Sequence, residues 1–381
     1  MSDDNCQSSF RDDNSKEDNP HKYEGDRFID FVRRNRDKNW RWDRLSSNPN
    51  ITWEDILEDL RSEDPLPWNW REITLNPNVT WEIISESING ENEYPWVRDW
   101  ISGNPNITFE IIMDNLEIEW NSKLISGHPN TTWDIIQSCR GADWDWHEIS
   151  SNPNITCEIV ESNINENWDW NGLSHNPNIT GEFIQSHPDK EWNFLAISEK
   201  EDIPWEFIRT NRTKGWGWFY ISKKSYITWE IIKENPECPW NWEGVSCNPN
   251  ITWSIIQSNP NENWDWVSIS GFNTNITWDI IVSNPEEKWI WDYVCRNPNI
   301  TWDIIQKNRH LKWNFIMVSL NPNITLKIVE ENPEIEWDWD YLLDTINIPL
   351  EFIIENPSKQ WVYRSISGWN YRQTLIKPAR S

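Results

Sequence analysis

The heptad NITWDII at residues 299–305 decides the fold, because the chain writes it repeatedly. It stands unchanged at 275–281 and as NITWSII at 250–256. Taking its Thr as a marker gives Thr52, Thr80, Thr108, Thr132, Thr156, Thr180, Thr228, Thr252, Thr277, Thr301 and Thr325, with Pro204 and Pro349 filling the slot in two degenerate copies. The steps are 28, 28, then 24 residues, with one of 25. A second marker keeps the same beat: from Trp40 and Trp68 to Trp337 and Trp361, one slot is Trp in all fourteen copies. The unit reads W-x-W-x-x-I-S-x-N-P-N-I-T-W-E-I-I and spans roughly residues 40–370. Self-similarity at such a period marks a repeat architecture in which each unit packs on its neighbours.

The wording of the unit describes two helix starts. Asn-Pro breaks a helix and biases the residue before it to extended geometry. The Thr that follows is an N-cap, and the acid two residues later suits the first turn. Ile300 before the Thr and Ile305 after it have the spacing of a hydrophobic staple. In W-x-W the middle residue is Asp, Asn or Gly in ten of fourteen copies, again a cap, with an aliphatic residue five positions after the first Trp, as in Trp168 and Leu173. The next slot is usually Ser, with Leu343 the large exception; a small residue there lets two backbones approach. Each unit is therefore read as two short helices, partly 3₁₀, split by the Asn-Pro-Asn loop. The two 28-residue copies add about one turn after the second helix begins. Pro204 and Pro349 would sit most comfortably at N1 rather than at the N-cap.

This reading gives an all-α solenoid of short helix pairs, about fourteen repeats long, with the indoles buried between layers. At roughly 10 Å per layer it would be a rod or arc of about 140 Å. A single unit is too small to fold alone, and the ends of such an array need caps. Residues 1–25 read as a disordered acidic arm, 26–39 as an N-terminal capping helix (RFIDFVRRNRDKN at 27–39), 40–361 as the repeat array, and 362–381 as a C-terminal cap with a basic tail.

Asn248-Pro249-Asn250-Ile251-Thr252 with Ile255-Ile256, and Ile203-Pro204-Trp205-Glu206-Phe207-Ile208, resemble the leucine-rich repeat variant family. That family has a unit of about the same length with an Asn-Pro loop and a Thr or Pro helix start. The resemblance implies α and 3₁₀ helices alternating in a right-handed superhelix. The W-x-W pairs depart from the family, which carries smaller aliphatics and Arg there, and the iron–sulfur segment that precedes some family arrays has no counterpart. The Trp-rich version is also similar to tandem-repeat proteins of giant DNA viruses, a likeness that carries no known activity.

A net charge of −28 argues against nucleic acid, whose binders need a basic footprint, and against an anionic membrane surface; it fits solubility, or a basic protein partner. No apolar run approaches a membrane span, and the start MSDDNCQSSFRDDNSK is not a signal peptide. The six cysteines are scattered without a C-x-x-C, so neither a disulfide framework nor a zinc site is expected. A reducing cytoplasm (of a host, for a viral protein) is the expected setting rather than secretion. The matches of Asn106-Ile107-Thr108 and its copies to a glycosylation sequon then read as accidental.

No constellation for catalysis, metal or cofactor emerges. The acids sit at helix starts, His128 and His175 read as solvated loop residues, and Cys157 and Cys295 as core thiols. The expected function is non-enzymatic: a protein–protein interaction scaffold or adaptor. The alternative is a glycan- or small-ligand-binding module using exposed Trp. Specificity would be written on the face carrying the second Trp slot and the two residues after it, for which Asn171, Gly172, Phe219, Tyr220, Glu243 and Gly244 are the candidates.

Overall fold

The computed structural model describes residues 27–89, 94–346 and 348–368; the expected acidic arm and most of the basic tail lie outside the described residues. The described residues form 28 α-helices and no strand. They alternate between two rows. A first-row helix begins two residues after each marker Trp, as in Trp170–His175, and a second-row helix begins after the Thr slot, as in Trp229–Glu234.

Capping explains both starts. Asp169 Oδ1 accepts from Gly172 N at 2.7 Å and Asn241 Oδ1 from Gly244 N at 2.8 Å, while Thr180 Oγ1 accepts from Phe183 N at 3.2 Å. The staple residues Ile300 and Ile305 are both fully buried. The extra turn of the long copies is visible in Trp53–Leu60 and Trp81–Asn89, against six residues in Trp229–Glu234. Two expectations change. The helices are assigned as α, with i→i−4 bonds such as Leu45 N to Arg41 O at 2.9 Å; the tighter i→i−3 bonds fall at their ends, as in Trp100 N to Val97 O at 2.8 Å and Asn48 N to Leu45 O at 3.1 Å. Pro204 and Pro349 occupy the N-cap, not N1. They supply the cap carbonyl (Ile208 N to Pro204 O, 3.2 Å) and give up only the side-chain cap.

The marker indoles are mortar. Ten of the fourteen are buried and four half-buried. Eleven pack edge-on against the second aromatic of the preceding copy, as Trp240 does on Trp218 (5.3 Å between centroids, 84°) and Trp264 on Trp242 (5.3 Å, 89°); Trp313 is tilted by 37° on Trp291, and for Trp120 and Trp144 the slot holds Arg98 and Ser122. In twelve of the fourteen copies the ring nitrogen explains why the slot is Trp, while Trp68 Nε1 donates to Asp59 Oδ2 at 2.8 Å and Trp96 Nε1 has no partner among the described residues. Trp168 Nε1 donates to Asn163 O at 2.8 Å and Trp264 Nε1 to Asn259 O at 2.8 Å. In each case the acceptor is the residue ending the second-row helix, whose carbonyl has no partner within that helix. Phe or Leu would fill the volume but lack the donor.

The Asn-Pro-Asn loop is more than a helix breaker. The first Asn folds its Oδ1 onto the amide two residues on (Asn178 N to Asn176 Oδ1, 2.8 Å). Its Nδ2 reaches into the preceding copy, to Ser150 O at 3.0 Å, Asn152 O at 2.8 Å and Ile155 O at 3.1 Å. The second Asn does likewise: Asn106 Nδ2 donates to Pro77 O at 2.9 Å and Val79 O at 3.0 Å. The sequon amide is thus already committed to the neighbouring copy. The Ser slot closes the third copy-to-copy link, because Ser150 Oγ accepts from Asp169 N at 2.9 Å. The hydroxyl, and not smallness alone, is what the slot selects.

Among the described residues the two ends of the array meet. All three links recur between its last and first copies. Ser367 Oγ accepts from Arg41 N at 2.9 Å, Asn48 Nδ2 donates to Ser367 O at 3.1 Å, and Tyr363 packs edge-on against Trp40 at 5.0 Å and 74°. The N-terminal helix Phe28–Arg34 takes a second-row seat. Trp40 Nε1 bonds the carbonyl of Asn35 at its end at 2.8 Å, Arg33 pairs with Asp59 at 3.0 Å on one side, and Leu350–Glu355 packs on the other. It therefore completes the unit that Tyr363–Ile366 begins. An open arc of about 140 Å is excluded by these contacts, and the expected cap helix is instead a closing element.

A Cβ on Gly368 would lie 3.8 Å from Arg44 Cβ, the spacing a disulfide needs. Arg44→Cys/Gly368→Cys is expected to form an intramolecular bond under mild oxidation, found in the monomer by peptide mass mapping. Only intermolecular links at these two sites would contradict closure.

Candidate functional site

Nine pairs of neighbouring first-row helices pack directly on each other, whereas among the described residues the one second-row pair that approaches this closely is Phe28–Arg34 with Leu350–Glu355. In a closed ring the row with the shorter spacing runs at the smaller radius. The first row therefore lines the inside and the second row forms the outer wall.

The six candidate residues all lie on the first row, but at two depths. Asn171 and Glu243 are exposed, and Phe219 and Tyr220 half-buried, on the inner face. Gly172 and Gly244 are buried beneath it. A Cβ at Gly172 would sit 2.7 Å from His147 O, and one at Gly244 2.5 Å from Phe219 O. These two glycines let adjacent helices touch and have no side chain to offer a partner.

Around Phe219 and Tyr220 the face is richer than the sequence suggested. Lys223 Nζ lies 5.1 Å from the Phe219 ring and 5.5 Å from Tyr220, a cation–π arrangement. Three copies on, Arg296 lies 5.2 Å from the Phe272 ring and 5.7 Å from Tyr293. Leu195, Phe272 and Ile316 are exposed on the same row. The signal for them was present: these positions take a different residue in nearly every copy, while their neighbours repeat. Charge also divides between the rows. Lys123, Lys223 and Arg364 accompany Asp99, Glu243 and Asp344 on the inner row, whereas Glu54, Glu82, Glu110, Asp134, Glu158, Glu182, Glu206 and Glu230 mark the outer wall in successive copies. Hydrogen bonds from the helix start (its own amide, then the Thr hydroxyl) hold Glu110 and Glu230 below the usual carboxylate range.

Residues weighed for chemistry have structural positions. His128 is buried rather than solvated; it replaces the first Asn of the loop and sets Nε2 3.0 Å from Asn104 O. His175 is exposed. Lys200 and Lys224 fill the same slot in two further copies, with Lys200 Nζ 2.7 Å from Asn176 O and Lys224 Nζ 2.6 Å from Lys200 O. Burial pushes both ammonium groups below the ordinary lysine range, against the pull of Asp202 on Lys200 and Glu201 on Lys224. Cys295 is fully buried in the Ser slot, and burial raises its thiol to about 11. Cys157 is only partly buried, with Sγ 3.3 Å from Asn178 O. Cys139, Cys157, Cys238, Cys247 and Cys295 are all free thiols. Among the described residues no three His, Cys, Asp or Glu side chains gather as a metal site requires, and no helix is long and apolar enough to cross a membrane.

Gly172→Ala and Gly244→Ala should each lower stability by about 1–3 kcal/mol through overpacking. Asn171→Ala and Glu243→Ala should stay within about 0.5 kcal/mol. Urea unfolding of the four variants distinguishes the buried pair from the exposed pair.

No family model, curated protein or solved structure matches this chain.

Proposed function

We propose that the protein is a non-enzymatic interaction scaffold: a right-handed ring of about fourteen helix pairs of the leucine-rich repeat variant kind, holding a protein partner on its inner row. The observation that supports this reading is the division of labour within the unit. Capping, ladder and indole slots repeat, while the inner positions vary and carry exposed Leu195, Phe272 and Ile316 beside half-buried Phe219 and Tyr220. Exposed apolar side chains on a rigid frame favour recognition.

Dimensions agree. At about 8–10 Å between packed helices, fourteen inner helices trace a circle roughly 35–45 Å across. Subtracting about 5 Å of helix radius on each side leaves an opening that admits an extended segment or a helix. The acidic outer wall favours a basic partner or a basic flank of the same partner, and it repels nucleic acid. The free thiols suit a reducing compartment such as the cytoplasm.

A variant carrying Leu195→Asp, Phe219→Ala and Phe272→Asp should keep the wild-type circular dichroism and melting temperature, because none of these side chains is fully buried. Proteins cross-linked to the wild type in its native cytosol should be lost from the variant. Recovery of the same set at the same yield would contradict the reading.

A further inference from the structure

The indole mortar has a gap. A cavity of about 180 Å³ opens beside the second-row helix Trp133–Ser138 and is lined by Trp133, Trp144 and Trp146. One local substitution accounts for it: Ala142, which lines the cavity, stands in a slot that holds Leu66 and Leu311 in other copies. Trp144 Nε1 is committed to Cys139 O at 3.0 Å, so what the indole has left to offer a ligand is its ring rather than its donor. Buried Trp133 forms the floor, and Trp144 and Trp146 are half-buried.

The rim is polar and balanced. Arg140 and Glu166 form an ion pair at 3.1 Å across the opening, and the exposed amides of Gln137 and Asn167 complete it. The guanidinium only donates, the carboxylate only accepts, and the amides do both. A ligand matching this set has an apolar face for the indoles, an edge of groups that donate and accept, and no net charge. The volume falls below the range of drug-sized pockets, about 300–1,000 Å³, so it suits a single ring.

We propose that this cavity binds one pyranose ring, either as a free monosaccharide or as the terminal residue of a glycan. The C–H face of the sugar lies against the indoles, and its hydroxyls bridge Arg140, Glu166 and the amides. The proposal is independent of the scaffold reading, since it concerns a different row and a different ligand.

The test titrates the full-length protein with the methyl pyranosides of glucose, galactose, mannose and N-acetylglucosamine, read by saturation-transfer NMR. At least one should bind with an affinity on the order of millimolar. Ala142→Leu fills the cavity with a side chain that its slot already accommodates elsewhere, so it should fold normally and abolish binding. Glu166→Gln should weaken binding about tenfold. A disaccharide ending in the preferred residue separates the sources: equal affinity indicates a free monosaccharide, and tighter binding a glycan end. Absence of pyranoside binding, binding undiminished in Ala142→Leu, or preferential binding of tetramethylammonium would overturn the proposal.

Discussion

Helices of four to six residues leave nearly every backbone group without an intrahelical partner at one end or the other. Burying such helices is possible only if outside groups satisfy those amides and carbonyls. Each recurring residue answers this constraint. Thr and the Asp or Asn of W-x-W take orphan amides at helix starts, the marker indole takes the carbonyl at a second-row end, and the loop Asn and the Ser link each copy to the next. Because so many of these bonds cross between copies, a unit has few ways to be satisfied alone. Cooperativity along the array, and closure of its ends, follow from the same requirement. The ring leaves neither terminal unit with an unpartnered face, which an open array must cover with caps.

Local chemistry was legible in the sequence, and long-range geometry was not. The two helix starts, the staple of Ile300 and Ile305, the extra turn of the long copies and the burial of the indoles all follow from spacing within one copy. The Asn ladder was missed because Pro and Thr already accounted for the loop, and nothing within a copy says where a side-chain amide points. His128 was misplaced for the same reason: in a loop it reads as solvated, yet it occupies a ladder seat. Closure was hidden because the helix Phe28–Arg34 has none of the consensus words. Only Asn35, five residues before Trp40 as Asn235 is before Trp240, marked it as a second-row helix.

The candidate site was half legible. The inner row was located by its variability between copies, which brings Asn171, Phe219, Tyr220 and Glu243 to one face. Gly172 and Gly244 were taken for the same face, because a small residue at a variable position reads alike whether it makes room for a ligand or for a neighbouring helix. The distances to His147 O and Phe219 O decide for the helix. The gap at Ala142 became readable only once the ring packing around Trp144 was known.

The central claim is that the last copy is bonded to the first as any copy is to its neighbour. Amide hydrogen exchange at Arg41, measured in the full-length protein against Asp169, tests it most directly, since both N–H groups donate to the Ser hydroxyl of the preceding copy at 2.9 Å. Comparable protection of the two amides is the predicted result. Rapid exchange at Arg41 while Asp169 stays protected would mean that the ends are apart and the ring is open.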